Sequence, residues 1–233
     1  MSDWRRARAV FWKDLLTERR AKAAFNAMAF FAVLVLFIFS FALGQGGNEF
    51  APRGETLLQF LWPGLLWVAI FFTAVLAFGR SFQVETASGG LEALRMYPGD
   101  KKAVYLGKLA ANLVMLAAME LVLIPVAAVL YSLDLWSKIP GVLGVVALGT
   151  VGLVAVGTFY AALTANLRAR EVMLPVLLFP ILVPVVVASV EATALVVHGD
   201  PMGELSIWLR VLALADVVLL VVCTLTFEYA IEE

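Results

Sequence analysis

Few side chains in this sequence are equipped for chemistry, and most of those sit in apolar surroundings. There is one histidine, His198, and one cysteine, Cys223, in 233 residues. A lone cysteine forms neither a disulfide within the chain nor a Cys-x-x-Cys redox pair. A lone histidine excludes most multi-histidine metal sites. His198 lies in Val197-His198-Gly199-Asp200-Pro201. It reads either as an axial haem ligand or as a surface residue beside a turn, and the second reading is adopted. No GxxxxGK[ST] phosphate loop, HExxH or GxSxG is present. These absences predict a non-enzymatic chain without catalytic residues, metal ligands or a resident cofactor. What stands out instead are carboxylates inside apolar runs: Glu120, Glu191 and Asp216. Burying a charge in lipid is expensive, so such groups are functional by default. Two readings of Glu120 and Asp216 stay open. They belong to a substrate path or interface network, or they simply bond backbone and hydroxyl groups such as Thr150 and Thr158. Asn26 and Asn112 lie nearer the inner face.

The elements that must position these groups follow from composition. The chain is 63% hydrophobic and 15% charged, with a mean hydropathy of +0.95. Soluble domains are about 45–50% apolar and about 25% charged, so this is an integral membrane protein. The net charge of -1 gives no reason to expect a nucleic-acid partner. Six apolar runs approach the ~20 residues that cross a bilayer core: 23–43, 57–78, 104–130, 141–163, 172–190 and 207–227. Every peptide group must be satisfied in lipid, so each run is predicted to be helical. The fold class is therefore all-α: a polytopic protein of six transmembrane helices forming one domain over 1–233. Ahead of them, Trp4, Ala7, Phe11 and Leu15 recur at helical spacing. Arg5, Arg6, Arg8, Lys13, Asp14 and Glu18 take the other side. Residues 1–22 are thus expected to form an amphipathic helix on the membrane surface, in contact with lipids. Of the 17 Lys and Arg residues, only Arg53, Lys138 and Arg210 flank the spans on one side. That asymmetry places both termini in the cytoplasm, with the chain in the plasma (cell inner) membrane.

Two spans have unusual compositions. The fourth holds Gly141, Gly144, Gly149, Gly152 and Gly157, and Gly157, Ala161 and Ala165 fall four apart. Small residues at that spacing let helices approach closely, within the subunit or across a homodimer. The fifth holds Pro175, Pro180 and Pro184 and is expected to bend, as a hinge or a static kink. Trp62, Trp67, Trp136 and Trp208 fall near span ends, where an aromatic belt would explain them.

Between spans two and three lies the longest polar insertion, Arg80 to Lys108, expected to contain a cytoplasmic coupling element over 79–103. Gly89-Gly90 breaks one helix and Pro98-Gly99 stops another. Leu91-Glu92-Ala93-Leu94-Arg95-Met96 can form a short helix between them, and Asp100 is placed to cap the next span. Leu91 and Leu94 share a side of that short helix and can enter a groove on a soluble protein.

The sequence resembles ABC-2-type exporter permeases, and within them the CcmB family, the haem exporter protein B of cytochrome c maturation. The matching residues are Trp12-Lys13-Asp14-Leu15, Pro63-Gly64-Leu65-Leu66-Trp67, and Phe82, Glu85, Gly89, Leu91-Glu92 and Leu94. Pro98, Lys108, Asn112, Leu174-Pro175 and Leu182-Val183-Pro184 complete the set. The sequence departs from the family pattern at Ala87 and Ser88, where acidic residues would be expected. The resemblance implies a permease subunit of an ABC transporter complex for cytochrome c-type biogenesis. A separate ATPase subunit would drive it through Glu85, Gly89, Gly90, Leu91, Glu92 and Leu94. The other implied partners are a haem-binding membrane subunit and a haem chaperone, with haem as cargo of the complex. The alternatives are a generic ABC-2 exporter of drugs, lipids or polysaccharide, and a proton-coupled secondary transporter using Glu120 or Asp216.

Overall fold

The computed structural model describes residues 3–20, 22–44, 56–87, 89, 100–165, 167 and 170–232. They form α1 (Asp3–Arg20), α2 (Lys22–Gly44), α3 (Leu57–Ala87), α4 (Lys102–Leu130), α5 (Ile139–Leu163), α6 (Arg170–His198) and α7 (Leu205–Glu232). Among the described residues there is no strand. Each of α2 to α7 is long and apolar enough to cross a membrane, so the all-α, six-span reading holds.

Both α3 and α6 outrun their expected spans, α6 reaching His198 rather than residue 190, and the difference at α3 bears on the site. The α3 span was expected to end at Phe78, but the helix continues to Ala87. Residues 79–87 contain no proline, and Phe82 and Glu85 are buried against other helices, so neither propensity nor solvation ends the helix earlier. Gly89 ends it with φ +69°, a left-handed conformation that glycine adopts without penalty. Its N–H donates to the Thr86 carbonyl at 3.3 Å. At the far side Asp100 Oδ1 accepts the Lys102 amide at 2.9 Å, which caps α4. The connection between α3 and α4 is therefore 88–101, shorter than the 79–103 expected. Gly90, Leu91, Glu92 and Leu94 lie outside the described residues, as do the short helix around them and Pro98-Gly99.

α5 is the hub, because its glycines admit neighbouring side chains to the backbone. A Cβ at Gly157 would lie 2.0 Å from Phe78 of α3, and one at Gly149 2.5 Å from Trp67 of α3 and 2.3 Å from Ser189 Oγ of α6. At Gly152 the neighbour is Asp216 Oδ1 of α7, at 2.3 Å from a built Cβ. These close approaches fall within one subunit, and Ala161 and Ala165 are buried there too. Polar bonds reinforce the packing: Tyr105 Oη donates to the Ala155 carbonyl, and Asn112 Nδ2 to Thr158 Oγ1, each at 2.9 Å.

One further expectation changes. Trp62 and Trp67 are not belt residues; both are fully buried in the core, as their apolar rings allow. Trp67 Nε1 donates to Thr193 Oγ1 at 3.0 Å, which satisfies its polar edge. Trp136 is 87% exposed, as a belt residue would be. α6 runs unbroken through Pro175, Pro180 and Pro184. Pro180 and Pro184 lie on its exposed side, away from the packed Leu178, Leu182 and Val185.

Candidate functional site

The densest charge cluster among the described residues lies at the root of the α3–α4 connection. Lys108 enters from the second turn of α4. Its position in Leu106-Gly107-Lys108-Leu109-Ala110 puts an ammonium inside an apolar run, and its side chain is 0% exposed. A buried charge needs a counter-ion and hydrogen bonds. Lys108 Nζ donates to Glu85 Oε1 of α3 and to Asp14 Oδ2 of α1, both at 2.9 Å. It also donates to the Ser81 carbonyl at 3.5 Å, and lies 4.7 Å from the centroid of the Phe82 ring. Lys13 of α1 closes the set, bonding Glu85 Oε1 and pairing with Asp14 Oδ1 at 3.1 Å. One helical turn further along α1, Glu18 Oε1 pairs with Arg80 Nε at 3.5 Å. Three cations thus face three anions.

The cluster fixes how α1 sits. Its acidic residues were assigned to a solvated face, yet Asp14 and Glu18 point into the protein because Lys108 and Arg80 stand opposite them. Ala7 and Val10 pack on Gly107, where a Cβ would lie 2.6 Å from the Ala7 carbonyl oxygen and 2.8 Å from Val10 Cβ. Trp4, Trp12 and Leu16 form the exposed apolar face. Burial presses the Lys13 ammonium toward neutrality. The hydrogen bond that Lys13 donates to Glu85 and the charges of Asp14 and Glu85 outweigh it, and hold the pKa above the usual lysine value. A cavity of about 260 Å³ opens beside the cluster, lined by Asp14, Glu18, Glu85, Asn112, Met28 and Met115 among others.

Glu85 therefore has an internal role. Glu85, expected from the family resemblance to be one of the residues that couple the chain to an ATPase, is buried and accepts hydrogen bonds from Lys108 and Lys13. Gly89 lies two residues beyond the end of α3, where it terminates the helix. The sequence places Lys13 and Asp14 on the polar side of the first helix and Lys108 at the end of the polar insertion, without pairing them. The signal that would have found them is the lysine within an apolar run, which demands an acidic partner from elsewhere in the chain.

The intramembrane carboxylates do not join this cluster. Glu120 is buried and accepts a hydrogen bond from Thr150 Oγ1, one of the two partnerships the sequence left open. Asp216 is buried on α7 with its carboxyl against the bare backbone of Gly152. Glu191 is exposed on α6. His198 packs beside Phe60, with ring centroids 5.7 Å apart, at the opposite end of the bundle from Lys108.

A family model described as CcmB protein matches residues 5–233. Curated proteins with similar sequences carry the name heme exporter protein B. The one from Rhodobacter capsulatus is 30% identical over 189 residues, 79% of this chain and 80% of its own length. That from Haemophilus influenzae is 30% identical over 76% of each chain. That from Paracoccus denitrificans is 28% identical over 91% of this chain and 93% of its own.

Proposed function

Because this chain belongs to the CcmB protein family, we propose that it is the multi-pass permease subunit of an ABC-type complex that handles haem for cytochrome c biogenesis. Relatives named heme exporter protein B support haem as the cargo class. In this reading the chain catalyses nothing itself. ATP is hydrolysed on a separate subunit that docks on the connection 88–101, and both termini lie on that same cytoplasmic side of the inner membrane. A haem-binding membrane subunit and a haem chaperone complete the complex.

The observation that carries the mechanism is the buried Lys108, bonded at once to α3 and α1 from α4. A force applied to residues 88–101 enters α3 and α4 at their nearest ends. Glu85 and Lys108 tie those ends together, and Asp14 ties α1 to both. Coupling requires that the ATPase contact differ between states. The cluster then makes the three helices respond as one body rather than letting the connection flex alone. The test is affinity purification of the tagged chain from native membranes, with mass identification of what accompanies it. It is paired with haem staining of c-type cytochromes in cells lacking the chain. An ATPase and haem-handling proteins in the eluate, and loss of stained cytochromes without the chain, are expected. Recovery with no ATPase, or normal cytochromes in the deletion, would overturn the proposal.

A further inference from the structure

We propose that the groove between α1 and α4 binds one anionic phospholipid. The groove lies beside the charge cluster, encloses about 620 Å³ and is bordered by Thr224 of α7. Trp4 and Phe11 of α1 form one wall, and Leu106 and Ala110 of α4 the other. Trp4 is 78% and Leu106 45% exposed, so the protein leaves these apolar surfaces bare. The groove is also built rather than loose. α1 and α4 touch at Gly107 so closely that a Cβ would not fit, which fixes the spacing of the two walls.

The mouth carries Arg8 and Lys102 along with Asp3 and Asp100, and the four are not equivalent. Asp3 Oδ1 accepts a hydrogen bond from Arg6 Nη1 at 3.2 Å. Asp100 Oδ1 accepts the Lys102 amide at 2.9 Å. Both carboxylates are engaged within the chain. The side chains of Arg8 and Lys102 are in no ion pair among the described residues. Arg6 balances Asp3, whereas the amide bonded to Asp100 carries no charge, so Arg8 and Lys102 outnumber Asp100 by one; the mouth is left with one net positive charge, and the space behind it is apolar. That combination fits an amphiphile with an anionic head and an acyl chain, delivered laterally from the bilayer. It does not fit an iron tetrapyrrole held through its metal, because no His, Met, Cys or Tyr is among the lining residues.

The site belongs to this chain alone and does not depend on the haem-handling role. The test is native mass spectrometry of the full-length protein released from bilayers of phosphatidylglycerol and phosphatidylcholine in equal parts. The expected result is retention of one phosphatidylglycerol per chain in preference to phosphatidylcholine. Each basic side chain near an anionic headgroup contributes about a fivefold preference. Arg8→Gln with Lys102→Gln should therefore lower phosphatidylglycerol retention roughly twenty-five-fold, with helicity unchanged by circular dichroism. Leu106→Trp should fill the groove and lower retention of both lipids. Equal retention of the two lipids by the wild type, or undiminished phosphatidylglycerol in the double variant, would overturn the proposal. So would displacement of the lipid by added haem. A dimer that Leu106→Trp dissolves while lipid retention stays intact would instead assign the groove to a second copy of the chain. Should Leu106→Trp fail to fold, the charge variant decides the matter.

Discussion

Lys108 is where the chemistry of one residue and its surroundings conflict most. An ammonium without water is tolerated only because Glu85, Asp14 and a backbone carbonyl surround it. Breaking a buried ion pair by removing one partner costs about 3–5 kcal/mol, whereas replacing the whole set by neutral groups is often close to neutral. Lys108→Met should therefore lower thermal stability in detergent sharply. Lys108→Met combined with Glu85→Gln and Asp14→Asn should recover much of the loss, because Lys13, the one charge then left without its partners, is half-exposed and can turn to water. A triple variant no more stable than the single one would show that packing, not charge, dominates at this site. A second residue offers a pH signature. Asp200 accepts the amides of Leu205 at 2.9 Å and Glu204 at 2.8 Å at the start of α7. Those bonds, led by the one from Leu205, hold its pKa below the usual carboxylate value. A carboxyl with a depressed folded-state pKa stabilises the fold above its unfolded pKa of about 3.9, and that contribution vanishes as pH falls through the lowered value. Asp200→Ala should thus be less stable than the wild type at neutral pH. Thermal unfolding followed down in pH should show the gap constant until about pH 4 and closing only below it.

Among the elements, α5 and the α3–α4 connection make opposite demands on sequence. α5 must be thin. Gly157 gains helix propensity of about 1 kcal/mol when replaced by alanine, but the new methyl would meet the Phe78 ring at 2.0 to 2.6 Å. Overpacking of that kind costs about 1–3 kcal/mol, and an aromatic ring in a full core has little room to yield. Gly157→Ala should be destabilising, and Phe78→Leu in the same chain should rescue it; an unfolding temperature raised by the single substitution would contradict this packing. The connection, by contrast, is expected to present a surface. Burying a leucine contributes roughly 1.5–3 kcal/mol, so Leu91→Asp with Leu94→Asp should reduce co-purification of the ATPase by orders of magnitude. Glu92→Ala should weaken it less and in a salt-dependent way. Unchanged ATPase yield from a double variant that inserts normally would move the docking site elsewhere, for instance to residues 168–171. Because Glu85 is turned inward, Glu85→Gln should act on the stability of the chain before it acts on docking.

For the whole molecule, the basic residues predict that Gly46, Ser137 and Gly199 face outward and Gly90 inward. Reporter fusions at those four positions test this, and reversal at two of them would refute the arrangement. Much of the architecture was legible without coordinates. Hydrophobic runs of bilayer length must be helical, because lipid offers no partner to an open backbone group. That argument needs only composition and length, and it located all six spans. Gly89 ends α3 and Asp100 caps α4 by local chemistry that the sequence states outright. The length of α3 was not legible, since the polar residues after Phe78 resemble the start of a loop. They continue the helix only because Lys108, Lys13 and Glu18 neutralise them from other elements. Trp62 and Trp67 lie in the core for a related reason: a tryptophan is equally suited to a belt and to an interior, and only the presence of Gly149 and Thr193 opposite Trp67 decides. The sequence by itself determined that there are six spans, where they lie and that they are helical. The tertiary structure alone decided what each face meets. Periodicity is a property of neighbours in the chain, whereas the pairing of Asp14 with Lys108 joins residues 94 positions apart and exists only once α1 has folded onto α4.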